Sequence, residues 1–531
     1  MADPNKTDKE KNEGIFRSSR NLAVSTLICR ILGFLREIIM APALGGGMKM
    51  SAWVLAITLP NLFRRILGEG ALGTALIPMM VHSMGNEDRQ RARERFSTIF
   101  VYLTVLLGAI TVLVTIPALI AALLLPEGMW KTAAELTPIL MPYSIFICAV
   151  GILTSYANSL RVYFLPSLAA ILQNVIMIGA LLLIWFGFSG ETDPLRFLSF
   201  AVLISGILEL LLMFWIVKRE NMMIIINRMI PRDFDTIKTI WKLALPGIGG
   251  ASALQISLMV DRGIAGWLGN YAPASLYFSE RLVYLPIGIF AFAFGTVSVS
   301  EMARAAVKKD FADMIGMMTF SLRNLLYVTV PISIYMFLFR EDLITLFFMR
   351  GRFDAEAVRQ TAYAMSFYVA GIPFFSAYKV IVAGFTAQKD MMTPMKVTII
   401  TVSLNIILNL ILMIPLRQGG IALATVITSL TGNLILTWFL VRAFGKECFA
   451  FRSFFLLLLK LGCAAGAAGA AAWAAAKWIP VKLPGPVPLT HLLAGGIAFA
   501  LVFFPFSLLL RIEEADLFLA RYLKLKIHHR S

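Results

Sequence analysis

Long apolar runs separated by short polar loops fill nearly the whole chain, and each run is continuous rather than alternating residue by residue. A run of about 20 apolar residues is what an α-helix needs to cross the hydrocarbon core of a bilayer, since each residue adds only ~1.5 Å of rise. A transmembrane β-barrel would show a period of two, so that architecture is excluded. The runs fall at 20–44, 51–82, 97–126, 136–160, 166–188, 195–217, 240–268, 273–302, 323–348, 358–387, 395–416, 418–443, 453–478 and 490–511. They predict an all-α polytopic membrane protein with about 14 transmembrane helices.

The runs repeat. Leu59-Pro60 in the second recurs as Leu285-Pro286 in the eighth, Pro166 opening the fifth recurs as Pro394 opening the eleventh, and the Trp215 to Lys218 exit recurs as Trp438 to Arg442. All three pairs share an offset of about 225 residues, which marks two six-helix lobes. Because six is even, the lobes have one orientation and are related about an axis along the membrane normal. The expected organisation is a tail at 1–20, an N-lobe at 21–220, a C-lobe at 221–445, a two-helix appendage at 446–511 and an amphipathic tail at 512–531.

Composition and charge narrow this further. The 531 residues are 59% hydrophobic and 15% charged, with a formal net charge of +17. The basic residues concentrate on one side of the spans, most densely at Arg89, Arg91, Arg93 and Arg95. That asymmetry orients both termini toward the cytoplasm. It assigns the net charge to topology and anionic headgroups, not to nucleic acid. Residues 1–20 are polar and mixed in charge, with no small-residue cleavage site behind them, so no removable signal peptide is expected. Cys29, Cys148, Cys448 and Cys463 have no paired spacing, and His82, His491, His528 and His529 form no ligand pattern. Neither a disulfide nor a zinc site is implied. No phosphate-gripping GxxxxGK[ST] loop is present, so the chain reads as a transporter driven by gradients, without enzymatic chemistry.

Five arginines contradict the apolar pattern: Arg30, Arg36, Arg64, Arg65 and Arg281 all lie inside spans. Each costs roughly 2.5–3.5 kcal/mol at the bilayer centre, so they must face protein or a wet cavity. On a regular helix Asn61, Arg65 and Glu69 share one face, with Arg64 and Gly68 beside them. Arg30, Gly33 and Glu37 share another face, while Arg36 projects to the side. Two readings stand. The arginines pair internally, Arg65 with Glu69 and Arg36 with Glu37 or a neighbouring span. Alternatively they grip an anionic, phosphorylated ligand, which guanidinium geometry suits. The second is favoured because nearby acids are too few.

A second constellation concerns a coupling ion. Asp261 lies deep in the seventh span, Asn405 and Asn409 stand one helical turn apart in the eleventh, and Thr425 lies in the twelfth. Their oxygens suit a small hard cation such as sodium, and helix-to-helix hydrogen bonding is the competing role. Lys379 is a further intramembrane cation. The thirteenth span carries a Gly462 to Gly466 small-residue step that permits close helix packing or a groove for an isoprenoid tail. The stretch Ile512 to Lys526 has the spacing of an interfacial helix.

The segments CRILGFLRE (29–37), LPNLFRRILGEGALGTALIP (59–78), SERLVYLP (279–286) and AGFTAQKDMMTPMK (383–396) resemble the signature segments of the MurJ/MviN lipid II flippases, in the same order along the chain. Those proteins belong to the multidrug/oligosaccharidyl-lipid/polysaccharide exporter superfamily. The resemblance implies a two-lobed twelve-helix core plus two C-terminal helices in the bacterial cytoplasmic membrane. It also implies transfer of lipid II, an undecaprenyl-pyrophosphate-linked precursor, from the inner to the outer leaflet by alternating access. On this basis Arg30, Arg36, Arg64 and Arg281 take the place of the family's cavity arginines, with Asn61 and Arg65 beside them. Membrane lipids and cell-wall synthesis proteins are the further partners it suggests, and no cofactor beyond a sodium ion. Ser51, Cys29, Glu37 and Tyr284 depart from residues that some relatives carry, which touches secondary polar contacts only. An exporter of drugs or of other polyprenyl-linked sugars, and a non-transporting scaffold for wall assembly, are the competing functions. The arginine set argues against the first, and the cost of burying those charges without a ligand argues against the second.

Overall fold

A computed structural model describes residues 8–68, 73, 76–77, 79–80, 89–160, 162, 164–187, 193–219, 234–291, 301–308, 310–445, 451–478 and 487–522. All regular structure among the described residues is helical. The chain divides into two compact units: Met1–Gly266 with Arg350–Phe353, and Trp267–Met349 with Asp354–Ser531.

Unit 1 contains α1 (Asp8–Leu44), α2 (Met48–Phe63), α3 (Arg89–Leu124), α4 (Met129–Ser159), α5 (Phe164–Trp185), α6 (Pro194–Arg219) and α7 (Phe234–Leu268), the last as far as Gly266. Helix α4 is its centre: α2, α3 and α6 all pack on it, while α5 bridges α1 and α6. The sequence explains the choice. Leu136, Leu140, Met141, Ile147, Leu153 and Tyr156 are buried on α4, and Gly151 lets the chain beyond α2 approach its backbone. By contrast α3 shows Leu113, Ile116 and Leu123 on its outer face, where lipid is the matching solvent.

Unit 2 contains α8 (Ala272–Pro286), α9 (Phe311–Leu338), α10 (Arg340–Phe348), α11 (Ala355–Tyr368), α12 (Ile372–Ala387), α13 (Met392–Phe444), α14 (Phe451–Trp478), α15 (Val487–Leu509) and α16 (Glu513–Tyr522). Helix α9 packs against α12 and α14, α8 against α11, and α14 against α15. The 53 residues of α13 would extend ~80 Å as one straight helix, far beyond a bilayer. The chain breaks instead at Arg417, whose φ of 48° and ψ of −132° are not helical. There the backbone turns so tightly that a Cβ at Gly420 would stand 2.1 Å from the Leu412 carbonyl oxygen. The expected boundary between the eleventh and twelfth spans falls at this residue.

Nine described helical stretches have the length and composition to cross a membrane. Those are the predicted spans three to six, nine, ten, thirteen and fourteen, and α13, which holds two. Among the described residues α1, α2, α7 and α8 fall short; α1 carries Arg30 and Arg36, α7 Asp261 and α8 Arg281, while Arg64 and Arg65 directly follow α2. One predicted span is corrected: residues 323–348 are the end of α9 and a separate helix, α10, interrupted at Phe339 where the polar Arg340-Glu341-Asp342 starts a new turn.

The appendage also differs in detail from its sequence pattern. Gly462 and Gly466 have open space beside them. The small face that packs is Ala464, Ala465, Ala468 and Ala472, joined with Tyr327 of α9 and Phe499 and Phe503 of α15. Ile512 and Ala515 bury into the same cluster, so the start of the tail is docked on unit 2.

Candidate functional site

In unit 1 Arg64 and Arg65 sit where a helix stops being regular, while Arg30, Arg36 and Asp261 lie within regular helices. Pro60 lies near the end of α2, where its missing N–H and its ring disturb the preceding turn. Four residues on, Arg64–Gly68 wind as a π-helical turn. Such turns are rare and concentrate at functional sites. The regular stripe expected for Asn61, Arg65 and Glu69 therefore does not continue past Phe63, and Glu69 lies outside the described residues. Close backbone contact accompanies the turn: a Cβ on Gly151 of α4 would stand 2.5 Å from the Gly68 carbonyl oxygen.

The π turn aims its two arginines at different helices. Arg64 hydrogen-bonds the hydroxyl of Tyr143 on α4, which also accepts from Gln173 Nε2 of α5, and the Glu209 carboxylate of α6 acts electrostatically on that hydroxyl. Arg65 is exposed, and its Nη1 donates to Gln255 Oε1 of α7 at 3.4 Å. Arg36 is held from three sides. Its Nη2 donates to Glu37 Oε1 at 2.7 Å, and its Nη1 donates to Asn174 Oδ1 at 3.2 Å and approaches Met177 Sδ at 3.8 Å. The Arg36–Glu37 pairing expected as one reading is thus present. Gln173 and Asn174, neighbours on α5, serve Arg64's partner and Arg36 respectively, which links the two arginines through one short segment.

Arg30 is exposed on α1, and Asn61 is half-buried one turn before the π segment. Asp261 is buried on α7, and Arg262 beside it donates from Nη1 to Thr58 Oγ1 of α2 at 2.8 Å. The carboxylates Glu37 and Glu209 are almost completely buried. Burying a carboxylate in a span costs several kcal/mol unless it is compensated, and for Glu37 the compensation is its ion pair with Arg36.

Unit 2 places Arg281 on α8, five residues before Pro286. Its guanidinium carbon stands 4.7 Å from the Tyr277 ring centroid, one turn back on the same helix. Ile287–Ala291 then form a second π turn directly after the proline. Asn409 Nδ2 donates to Asn405 Oδ1 at 3.1 Å, and Thr425 Oγ1 donates to the Ile421 carbonyl of its own helix at 3.1 Å. These three side chains offer neutral oxygens only, while the acid of the expected cation set, Asp261, is part of unit 1. Among the described residues no three His, Cys, Asp or Glu side chains group as a metal site.

Sequence reasoning missed Tyr143, Gln173, Asn174, Glu209 and Gln255. Two signals were available. Glu209 is the lone acid of the sixth run, and Gln173-Asn174 is a polar pair inside LAAILQNVIMIGALLL. Ionisable groups at such depth mark function by default.

Helices long and apolar enough to cross a membrane, with arginines held among them, define a polytopic membrane protein. A solved structure titled "Lipid II flippase MurJ, inward closed conformation" has the same fold, with a TM-score of 0.75 at 22% identity, covering 92% of this chain and 99% of that one. An inward-facing multidrug resistance MATE transporter of the MOP superfamily superposes at 0.62 and 16% identity, covering 78% and 97%. The sequence model described as "Lipid II flippase MurJ" matches residues 40–489, and the chain belongs to that family. A probable lipid II flippase MurJ of Rhizobium meliloti (strain 1021) is 28% identical over 94% of both chains. The lipid II flippase MurJ of Burkholderia cenocepacia is 25% identical over 80% of this chain and 83% of its own. Family membership and the apolar helices place the chain in the bacterial inner membrane as a multi-pass protein.

Proposed function

We propose that this chain moves lipid II from the inner to the outer leaflet by alternating access, both termini facing the cytoplasm, and that its intramembrane arginines bind the pyrophosphate. The observation that carries the arginine role is the tethering of Arg36 and Arg64 by Glu37, Asn174 and Tyr143. A guanidinium fixed in place spends little rotamer entropy when an anion arrives and presents a fork suited to phosphate oxygens. Two guanidinium groups suit a ligand that carries two phosphates. Arg30, Arg65 and Arg281 supply further positive charge, and Asn61 a neutral contact.

Sodium is proposed as a weakly held coupling ion. Asn405, Asn409 and Thr425 would contribute neutral oxygens, and the lack of charge on them lowers affinity. Cell-wall synthesis proteins are proposed partners, from the substrate's place in wall assembly.

Depletion of the resident flippase in a bacterial host, with rescue by this chain and assay of lipid II at the outer leaflet, tests the reading. Rescue is expected for the parent and not for Arg36→Ala or Arg64→Ala at equal expression. Full rescue by both variants would return the arginines to a structural role.

A further inference from the structure

In unit 2, apart from the arginines and the candidate cation ligands, the start of α14, the Arg511–Ile512 turn after α15, the start of α16 and one side of α9 line a half-open cavity of about 360 Å³. Four cations line it: Arg323, Arg452, Lys460 and Arg511. Two carboxylates, Glu513 and Glu514, oppose them. Both acids are committed. Glu513 Oε2 accepts from Arg323 Nη2 at 2.9 Å, Glu514 Oε1 accepts from Arg323 Nε, and Arg323 Nη1 also donates to Ser453 Oγ at 2.9 Å. Arg323 is therefore a structural tie between α9, α14 and α16, and the remaining cations carry the cavity's surplus of positive charge.

The backbone shapes that surplus. Arg511 closes α15 with a φ of 50°, a left-handed conformation uncommon outside glycine. Its carbonyl accepts from Lys460 Nζ at 3.3 Å, which brings the Arg511 and Lys460 segments together. An ammonium has three donors, so one bond to a carbonyl leaves two for a ligand. Arg452 is exposed at the first turn of α14.

What surrounds the cavity names the occupant. Phe455 and Leu459 of α14, next in sequence to the lining residues Leu456 and Lys460, and Leu509 of α15, two residues before Arg511, are strongly exposed. In a chain that spans a membrane, such side chains face acyl tails. A basic pocket between helix ends, bordered by lipid-facing apolar side chains, suits a headgroup whose tails run down that surface better than a freely diffusing anion.

We infer that this cavity binds the phosphodiester headgroup of an anionic bilayer phospholipid, which bridges Arg452, Lys460 and Arg511 and clamps the appendage and tail to α9. The inference does not depend on lipid II transport. Basic residues of this kind contribute roughly fivefold each to the preference for anionic over zwitterionic lipid.

The test uses the full chain purified in a neutral detergent, with retained lipid counted by native mass spectrometry and melting followed in parallel. The probes are phosphatidylglycerol, phosphatidylcholine and inorganic phosphate. The parent is expected to retain phosphatidylglycerol in preference and to melt higher with it. The R452Q/K460Q double variant should lose that preference by an order of magnitude, and R452K/K460R should keep it. Lys477→Gln, at the opposite end of α14, should behave as the parent. Melting without added lipid shows whether each variant is folded. Three results would overturn the inference: equal retention of phosphatidylcholine, an equal melting shift with inorganic phosphate, or an unchanged preference in the folded double variant. If R452Q/K460Q does not fold, loss of preference in R452K/K460R would also count against it.

Discussion

Among the described residues the same sequence device, Leu-Pro followed by a π turn, is found in each compact unit and is put to different use. In unit 1 the turn at Arg64–Gly68 contains the arginines, and their contacts reach α4 and α7. In unit 2 the turn at Ile287–Ala291 is apolar, and Arg281 sits ahead of it on regular helix against its own Tyr277. A proline and a local underwinding thus supply irregular backbone in both places. Only in unit 1 does that irregularity orient charged donors. The difference teaches that one local backbone irregularity can occur with or without charged side chains on it, so the chemistry is set separately in each unit.

The largest expected effect breaks the unit 1 side of this comparison. Arg64→Gln should lower lipid II transfer in reconstituted vesicles by ~100-fold, since hydrogen bonds to charged groups contribute about 1.5–3 kcal/mol each. Arg64→Lys should not restore it, because an ammonium lacks the planar fork. Unchanged transfer in both would remove Arg64 from the ligand site.

Gly151→Ala tests whether α4 pins the turn. The new methyl would collide with Gly68, costing about 1–3 kcal/mol as overpacking and lowering the melting temperature. Gly179→Ala, which meets nothing within 4 Å, is the matched control and should be nearly silent. Equal melting of the two would mean that the turn is held by something other than this crossing.

A smaller effect is expected at Asn174, whose loss leaves Arg36 charged and paired with Glu37. Asn174→Ala should cut transfer by ~5-fold, the equivalent of one hydrogen bond of about 1 kcal/mol. An effect as large as that of Arg64→Gln would show that orientation matters as much as charge.

The smallest prediction lies away from both turns. Asp390 caps α13, accepting from the backbone N–H groups of Met392 at 3.1 Å and Thr393 at 3.0 Å. Asp390→Ala should cost about 1 kcal/mol of stability and leave transfer unchanged. Burial pushes this carboxyl up, but the hydroxyl of Thr393 and the N–H groups of Thr393 and Met392 hold it below its ordinary value. A depressed folded-state pKa stabilises above the unfolded value and is lost as the carboxylate protonates. The cap's contribution should therefore persist at neutral pH and fade below about pH 3.9 in a melting series.

The lipid-facing helices were readable because their apolar runs are long and uninterrupted, and the Arg417 break was announced by Pro415 and by Gly419-Gly420. The π turns were not readable. A 3.6-residue period assumes regular winding, and nothing in RRILG distinguishes π from α without the packing of Gly68 on α4. The arginines were visible because charge in an apolar run is conspicuous. Their partners were less so, since Tyr143 and Asn174 resemble ordinary membrane-helix residues until the fold brings α1, α4 and α5 together. Small residues misled in α14, where the glycines attract notice and the alanines do the packing.

The central claim is that fixed arginines recognise the pyrophosphate. Its most direct test is binding of undecaprenyl pyrophosphate and undecaprenyl monophosphate to the purified chain and to its Arg36→Gln/Arg64→Gln variant. The parent should prefer the pyrophosphate by at least ~10-fold, the equivalent of one additional charge-assisted contact, and the variant should bind both lipids alike. A preference that survives in the folded variant would contradict the account and place phosphate recognition elsewhere in the chain.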